Sequence, residues 1–201
     1  MKKRYIISAI FFLLFILIAV LITKNNIRLF DDNVYNYISS FRNSYLDNIF
    51  KIITKFANPI SITILVLILL IILKKENIYK LILTVSTTVL LNQALKHLIR
   101  RPRPDYIRLV SEKGFSFPSG HSMVSLAFYG FIIYLIYKYI KNKKIKVFLI
   151  TLLSMLIAFI GISRIYLGVH YTSDVCAGFL ISISYLIIYT SIVDKFILER
   201  E

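Results

Sequence analysis

The chain has 201 residues, of which 58% are hydrophobic, and its mean hydropathy is +0.74. It carries 25 Lys and Arg against 10 Asp and Glu, a formal charge of +15. Soluble domains average about 45–50% apolar residues, and so short a chain has too little interior to hide the excess. A soluble globule, a disordered tail and a disulfide scaffold (Cys176 is the single cysteine) are all disfavoured, which leaves a small, basic, polytopic membrane protein.

Six runs lack Asp, Glu, Lys and Arg, and they organise the chain. The first, 5–23, follows Met1-Lys2-Lys3-Arg4 as a signal-peptide core would. It is longer than a usual h-region, and no A-x-A-type site precedes Lys24, so it reads as an uncleaved first span. Residues 24–55 are too long for a plain connection. Asp31-Asp32-Asn33 reads as a helix start. Val34, Tyr37, Ile38, Phe41, Tyr45, Ile49 and Ile53 then follow at helical spacing, giving either an interfacial helix or an ordinary packed cap on a bundle. The runs 56–73, 81–95, 122–137, 147–163 and 175–193 are five further spans. Two of them are short and extend at their rims, where long polar side chains such as Lys96 snorkel. β-branched residues are common in these runs, but in lipid only a helix satisfies its own backbone. The expected fold is therefore all-α: one integral-membrane domain over 1–201, a bundle of six transmembrane helices with an interfacial helix in the first outer loop.

The short connections 74–80 and 138–146 share a basic side with Lys2-Lys3-Arg4, and the positive-inside rule makes that side cytoplasmic. The opposite side holds 24–55, 96–121 and 164–174. Raw Lys and Arg counts barely separate the two sides, so the orientation rests on the short loops and the N-terminus. Six spans then put both termini in the cytoplasm.

Three polar groups fall on one face by span parity, whichever way the chain inserts. The first is Lys96-His97-Leu98-Ile99-Arg100-Arg101-Pro102-Arg103-Pro104. Lys96 and Arg103 are about two helical turns apart, and Pro102 and Pro104 end the helix. The pair reads as an anion clamp or as routine span-flanking cations. The second is Pro118-Ser119-Gly120-His121, a helix N-terminus whose free N–H groups suit an anion. Ser119 is either an oxyanion donor or a plain cap, and Gly120 lets a phosphate approach the backbone. The third runs from Ser163-Arg164 to His170 and Asp174. If helical, His170 and Asp174 share a face at i, i+4, and a carboxylate on one imidazole nitrogen exposes the other as a nucleophile. A metal pair is the alternative, but few acids or cysteines remain to complete it and the nearby cations oppose it.

Jointly, Lys96-x6-Arg103-Pro104, Pro118-Ser119-Gly120-His121 and Ser163-Arg164-x5-His170-x3-Asp174 resemble the three signature motifs of the type-2 phosphatidic-acid phosphatase superfamily. That group includes lipid phosphate and undecaprenyl-pyrophosphate phosphatases and shares its site with vanadium haloperoxidases. The resemblance implies that His170 attacks phosphorus and forms a phosphohistidine. It implies that Asp174 orients His170 and that His121 protonates the leaving oxygen and later activates water. Lys96, Arg103, Ser119, the Gly120 amide and Arg164 would hold the phosphate oxygens, with no metal and no cofactor. Thr172 stands where a Pro is common in similar sequences. Arg100 and Arg101 match no motif position and read as solvated or as contacts to a second phosphate or a headgroup; His97 reads as a rim or structural residue.

The expected activity is hydrolysis of a lipid phosphate or diphosphate (undecaprenyl pyrophosphate, phosphatidic acid or phosphatidylglycerol phosphate) at the outer face of a plasma membrane. The partners are then the lipid substrate and surrounding membrane lipids. Nucleic acid is disfavoured, because Lys and Arg are spread over span flanks. The alternatives are a phosphotransferase with an acceptor other than water, and a non-catalytic binder of anionic lipids.

Overall fold

Uncharged runs of Ile, Leu and Phe become helices here for the reason lipid imposes: each must close its hydrogen bonds within itself. The structure, a computed structural model, describes residues 2–198. Met1 and residues 199–201, including the C-terminal end expected in the cytoplasm, lie outside the described residues. Eight helices follow one another: α1 (Lys2–Thr23), α2 (Arg28–Ser39), α3 (Ser44–Lys55), α4 (Pro59–Ile72), α5 (Lys75–Ile99), α6 (Gly120–Tyr139), α7 (Lys143–Tyr166) and α8 (Thr172–Leu198). No strand occurs among the described residues.

Helices α1, α5, α6, α7 and the Thr172–Lys195 part of α8 are long and apolar enough to cross a membrane. Where the sixth span is expected stands a bent pair of helices, α3 and α4. α4 has 14 residues, about 21 Å against a hydrocarbon core of about 30 Å. It joins α3 at a bend of 55°, with Pro59 in its first turn. Irregular backbone at such a depth needs partners from its neighbours, and the Tyr129 hydroxyl donates to the Phe56 carbonyl at 2.8 Å.

The central helix is α6, whose Phe128 and Phe131 are fully buried against Leu81 of α5 and Ile160 of α7. α1 packs on α8 through small groups, as membrane helices do; Ser8 Oγ lies 2.9 Å from Ser184 Oγ. The opposite face of α1 turns Leu13 and Ile6 outward.

The segment expected to hold one interfacial helix holds two, α2 and α3, separated at residues 40–43. Asn43 caps α3 by accepting from Tyr45 N at 3.1 Å and Leu46 N at 3.0 Å. α2 begins at Arg28, before the expected start. Asp31 is therefore no cap, and its buried carboxylate is used elsewhere. The inner face of α3 is a packed cap on α7: Asp47 accepts from the Tyr166 hydroxyl at 2.7 Å and Phe50 meets the Tyr166 ring. The outer faces of the pair leave Tyr37 and Tyr45 exposed.

α5 ends at Ile99, with Arg100 left-handed at φ 51°. A long irregular loop then returns the chain to Gly120. It is pinned by Ser116 N to Arg101 O (2.8 Å), Leu109 N to Leu167 O (3.0 Å) and Ser119 N to Asp174 O (3.1 Å). Gly168, at φ +73° where an L side chain is strained, also admits the Ile107 carbonyl into the space a Cβ would fill.

Candidate active site

The helix ends at one pole of the bundle and the 100–119 loop enclose a cavity of about 320 Å³. Lys96 reaches it from the last turn of α5, Arg103 and Glu112 from the loop, Gly120 and His121 from the first turn of α6, and His170 from the α7–α8 connection. His97 also lines it, as a rim residue whose ring meets Phe115 edge-on. Three stretches far apart in the chain thus share one pocket. Lys96 and Arg103 do not meet by helical spacing, because α5 stops between them; the loop folds Arg103 back.

His170 precedes α8, so its pairing with Asp174 is made across a helix start rather than along a helix. The ring is buried. Its Nδ1 lies 3.4 Å from Asp174 Oδ2 and 3.4 Å from Ser116 Oγ, and its Nε2 lies 3.3 Å from Arg103 Nη1. These contacts are long; contacts of this kind tighten when substrate binds. Burial is the main force that lowers the His170 pKa to about 4. Asp174 opposes the shift, while Arg164 and Arg103 reinforce it. The imidazole is therefore neutral near pH 7. With Nδ1 turned to the carboxylate, the Nε2 lone pair is left facing the cations.

Asp174 is completely buried and heavily tethered. It accepts from Arg101 Nη1 at 2.6 Å, from Tyr171 N at 3.0 Å and from the Ser116 hydroxyl. Arg101, expected to be solvated, has a side chain only 10% exposed. Its Nη2 donates to Asp31 at 2.7 Å, its Nη1 donates to Ser173 Oγ at 2.8 Å, and it stacks 3.8 Å over the Tyr171 ring. The reason is charge: two buried carboxylates, Asp31 and Asp174, need one shared cation. Asp31 also accepts from Ser173 N and Ser173 Oγ, both at 2.7 Å, which ties α2 to the first turn of α8.

His121 Nε2 lies 2.8 Å from Asn58 Oδ1, at the bend between α3 and α4. Ser119 is fully buried and outside the cavity lining; its Oγ accepts from Ser122 N (3.4 Å) and Ser122 Oγ (3.0 Å), as a helix cap does. Gly120 does face the cavity, with Asn92 behind it. Asn92 Nδ2 holds the Pro118 carbonyl at 3.0 Å, and a Cβ on residue 120 would come 3.1 Å from Asn92 Oδ1.

The cations are oriented by this chain's own acceptors. Arg164, a buried side chain behind the pocket, donates from Nη1 to Thr54 Oγ1 at 2.6 Å and from Nη2 to Glu112; its Nε has no partner. Arg103 donates from Nη1 to Val169 O at 2.8 Å, and its burial lowers its pKa. Among the described residues no three His, Cys, Asp or Glu side chains gather as a metal site would require. The residues that the motifs missed are Asp31, Thr54, Asn58, Asn92, Arg101, Glu112 and Ser116. Only the acids left a trace: with ten in the whole chain, each one beside a cation-rich stretch is a candidate counter-charge.

Comparison with known proteins finds relatives along most of the chain. Residues 77–198 match the PAP2 superfamily. The chain is 34% identical over 176 residues to phosphatidylglycerophosphatase B of Bacillus subtilis (strain 168), covering 84% of this chain and 85% of that one. The crystal structure of a transmembrane PAP2-type phosphatidylglycerolphosphate phosphatase from Bacillus subtilis superposes with a TM-score of 0.86 at 30% identity, covering 94% and 96% of the two chains. LpxE of Aquifex aeolicus superposes with a TM-score of 0.68 at 28% identity, covering 81% and 95%.

Proposed function

The chain belongs to the PAP2 superfamily as a membrane lipid phosphatase, and from that premise we propose that it cleaves the phosphomonoester of phosphatidylglycerol phosphate through a phosphohistidine at His170. The observation that carries this reading is a neutral, buried His170 whose Nε2 faces Arg103 in a cavity shared with Lys96 and His121. The lipid named for the Bacillus subtilis phosphatase, in sequence and in crystal structure, favours this substrate over phosphatidic acid and undecaprenyl pyrophosphate.

In the first step Nε2 attacks phosphorus and the bond to the lipid oxygen breaks. His121 gives that oxygen a proton, its ring held by Asn58. Asp174 stabilises the imidazolium as charge develops on His170. Lys96, Arg103, Arg164 and the Gly120 amide meet the charge spread over the equatorial oxygens, which is most of what phosphoryl transfer asks of a protein. Ser119 acts by holding the start of α6. In the second step water attacks the phosphohistidine and His121 takes its proton, so that orthophosphate leaves and His170 is restored. No metal enters. By the basic short loops the pocket opens on the extracytoplasmic side of the plasma membrane.

The test is phosphate release by purified protein in detergent from the three candidate lipids. His170→Ala is expected to reduce turnover by at least about 10⁴-fold, and EDTA to leave the wild type unchanged. A fully active His170→Ala protein would end the reading. Loss of activity in EDTA with rescue by one divalent cation would replace it with metal chemistry.

A further inference from the structure

One short stretch of loop, 112–115, engages Lys96, Arg103 and Arg164. Lys96 Nζ donates to Phe115 O at 2.5 Å. Arg103 donates from Nη2 to Lys113 O at 3.0 Å and from Nε to Gly114 O at 3.1 Å. The Glu112 carboxylate takes Arg164 Nη2 through Oε1 and stands 3.6 Å from Arg103 Nη2 through Oε2. The backbone carbonyls orient the cations without neutralising them. Glu112 differs, because it brings a full negative charge to the point where two guanidiniums converge.

We infer that Glu112 determines specificity: its carboxylate holds the place of a phosphate oxygen between Arg103 and Arg164, and an incoming anion must displace it. This inference rests on the phosphatase reading. The burial is asymmetric in the right sense. The Arg164 side chain is 1% exposed and Glu112 27%, so the arginine stays while the carboxylate is free to swing toward solvent. The unpartnered Arg164 Nε gives the guanidinium more donor capacity than one carboxylate uses.

The consequence is selection by charge. A phosphodiester headgroup carries one negative charge, so exchanging it for a well-seated carboxylate brings no electrostatic gain. A phosphomonoester carries about −1.5 to −2 and three acceptor oxygens, and only it improves on Glu112. Such a filter suits an enzyme bathed in diester lipids that share its substrate's acyl chains. It also weakens retention of the orthophosphate product.

Glu112→Gln keeps the shape and removes the charge. In detergent, calorimetric titration with orthophosphate and with a short-chain phosphatidylglycerol is expected to show tighter binding of both, by about tenfold. Inhibition of turnover by each should strengthen in parallel, and KM should fall. Glu112→Asp, which retracts the charge by one methylene, should move the same way by less, and it carries the test if the glutamine variant does not fold. Unchanged binding of both anions would overturn the inference. So would weaker orthophosphate binding, which would make Glu112 a support for Arg164. The titrations need no turnover: tighter anion binding in a protein whose wild type dephosphorylates no lipid would uphold Glu112 as the competing anion and refute the phosphatase reading.

Discussion

Two aspartates of α8 stand at opposite poles of the bundle. Asp174 and Asp194 are twenty residues apart on one helix, about 30 Å, and each meets an arginine at close range: Arg101 at 2.6 Å and Arg4 at 2.7 Å. Their surroundings separate them. Asp174 is sealed from solvent, and its arginine also serves a second buried carboxylate, Asp31. Asp194 is 26% exposed and shares itself among Arg4, Lys138 and Tyr134, all near the end of the bundle. The same pair of charges is therefore indispensable at one pole and dispensable at the other. A buried pair that loses one partner strands a charge, whereas an exposed pair is screened and replaced by water.

Arg101→Ala should break this comparison open, since it strands Asp31 and Asp174 together. The expected cost is about 3–5 kcal/mol in unfolding free energy, measured by denaturation in detergent. Arg101 touches no reacting atom and acts as a positioning residue through Asp174. The variant's surviving folded fraction should therefore show a depressed kcat with little change in KM. Arg101→Lys should recover only part of the loss, because one ammonium cannot fork to two carboxylates and stack on Tyr171 as the guanidinium does. A variant whose KM rises while kcat holds would place Arg101 on the substrate instead.

The pH response sharpens the same contrast at a single ring. His170 has its pKa lowered to about 4, from 6.5, with burial the leading cause. A histidine kept neutral by folding takes up its proton more readily when unfolded. Between pH 6.5 and about 4 the unfolded state thus binds more protons, and stability falls as pH falls through that window. Above 6.5 the group makes stability independent of pH. The ring should stay neutral down to about pH 5 in a nitrogen NMR titration, where an ordinary histidine would be mostly charged. His170→Asn should flatten the stability loss between pH 6.5 and 4. An imidazolium signal at pH 6 would contradict the buried, nucleophilic ring.

What the amino-acid order disclosed follows the same division between local and distant causes. Spans are local, and uncharged runs such as 147–163 announce themselves. The shared face of Lys96, Gly120, His121 and His170 followed from counting spans, which needs no contact map. The break between α3 and α4 was also written locally, in Asn58-Pro59, but a continuous apolar run hides a proline that opens a helix. Arg101 was illegible for a different reason. Its partners Asp31 and Asp174 lie 70 and 73 residues away, and such a pairing leaves no periodic trace. Glu112 and Ser116 sit in a loop without periodicity, and only the folded loop shows that one meets Arg164 and the other Asp174. Ser119 shows the converse: a motif position whose Oγ accepts from Ser122 as a helix cap does.

The mildest change tests the far pole. Asp194→Asn removes the charge that Arg4, Lys138 and Tyr134 converge on, yet keeps an acceptor for the Tyr134 hydroxyl, now 2.5 Å from Asp194 Oδ1. Arg4 and Lys138 have side chains 50% and 29% exposed, so water and counter-ions take over what they lose. The unfolding free energy should drop by less than about 1 kcal/mol, less still in high salt, and phosphate release should stay within about twofold of wild type. A larger loss of turnover at unchanged stability would mean that the packing of α1 on α8, held midway by Ser8 and Ser184, transmits the state of one pole to the Thr172–Asp174 turn at the other. The two aspartates would then belong to one mechanical unit.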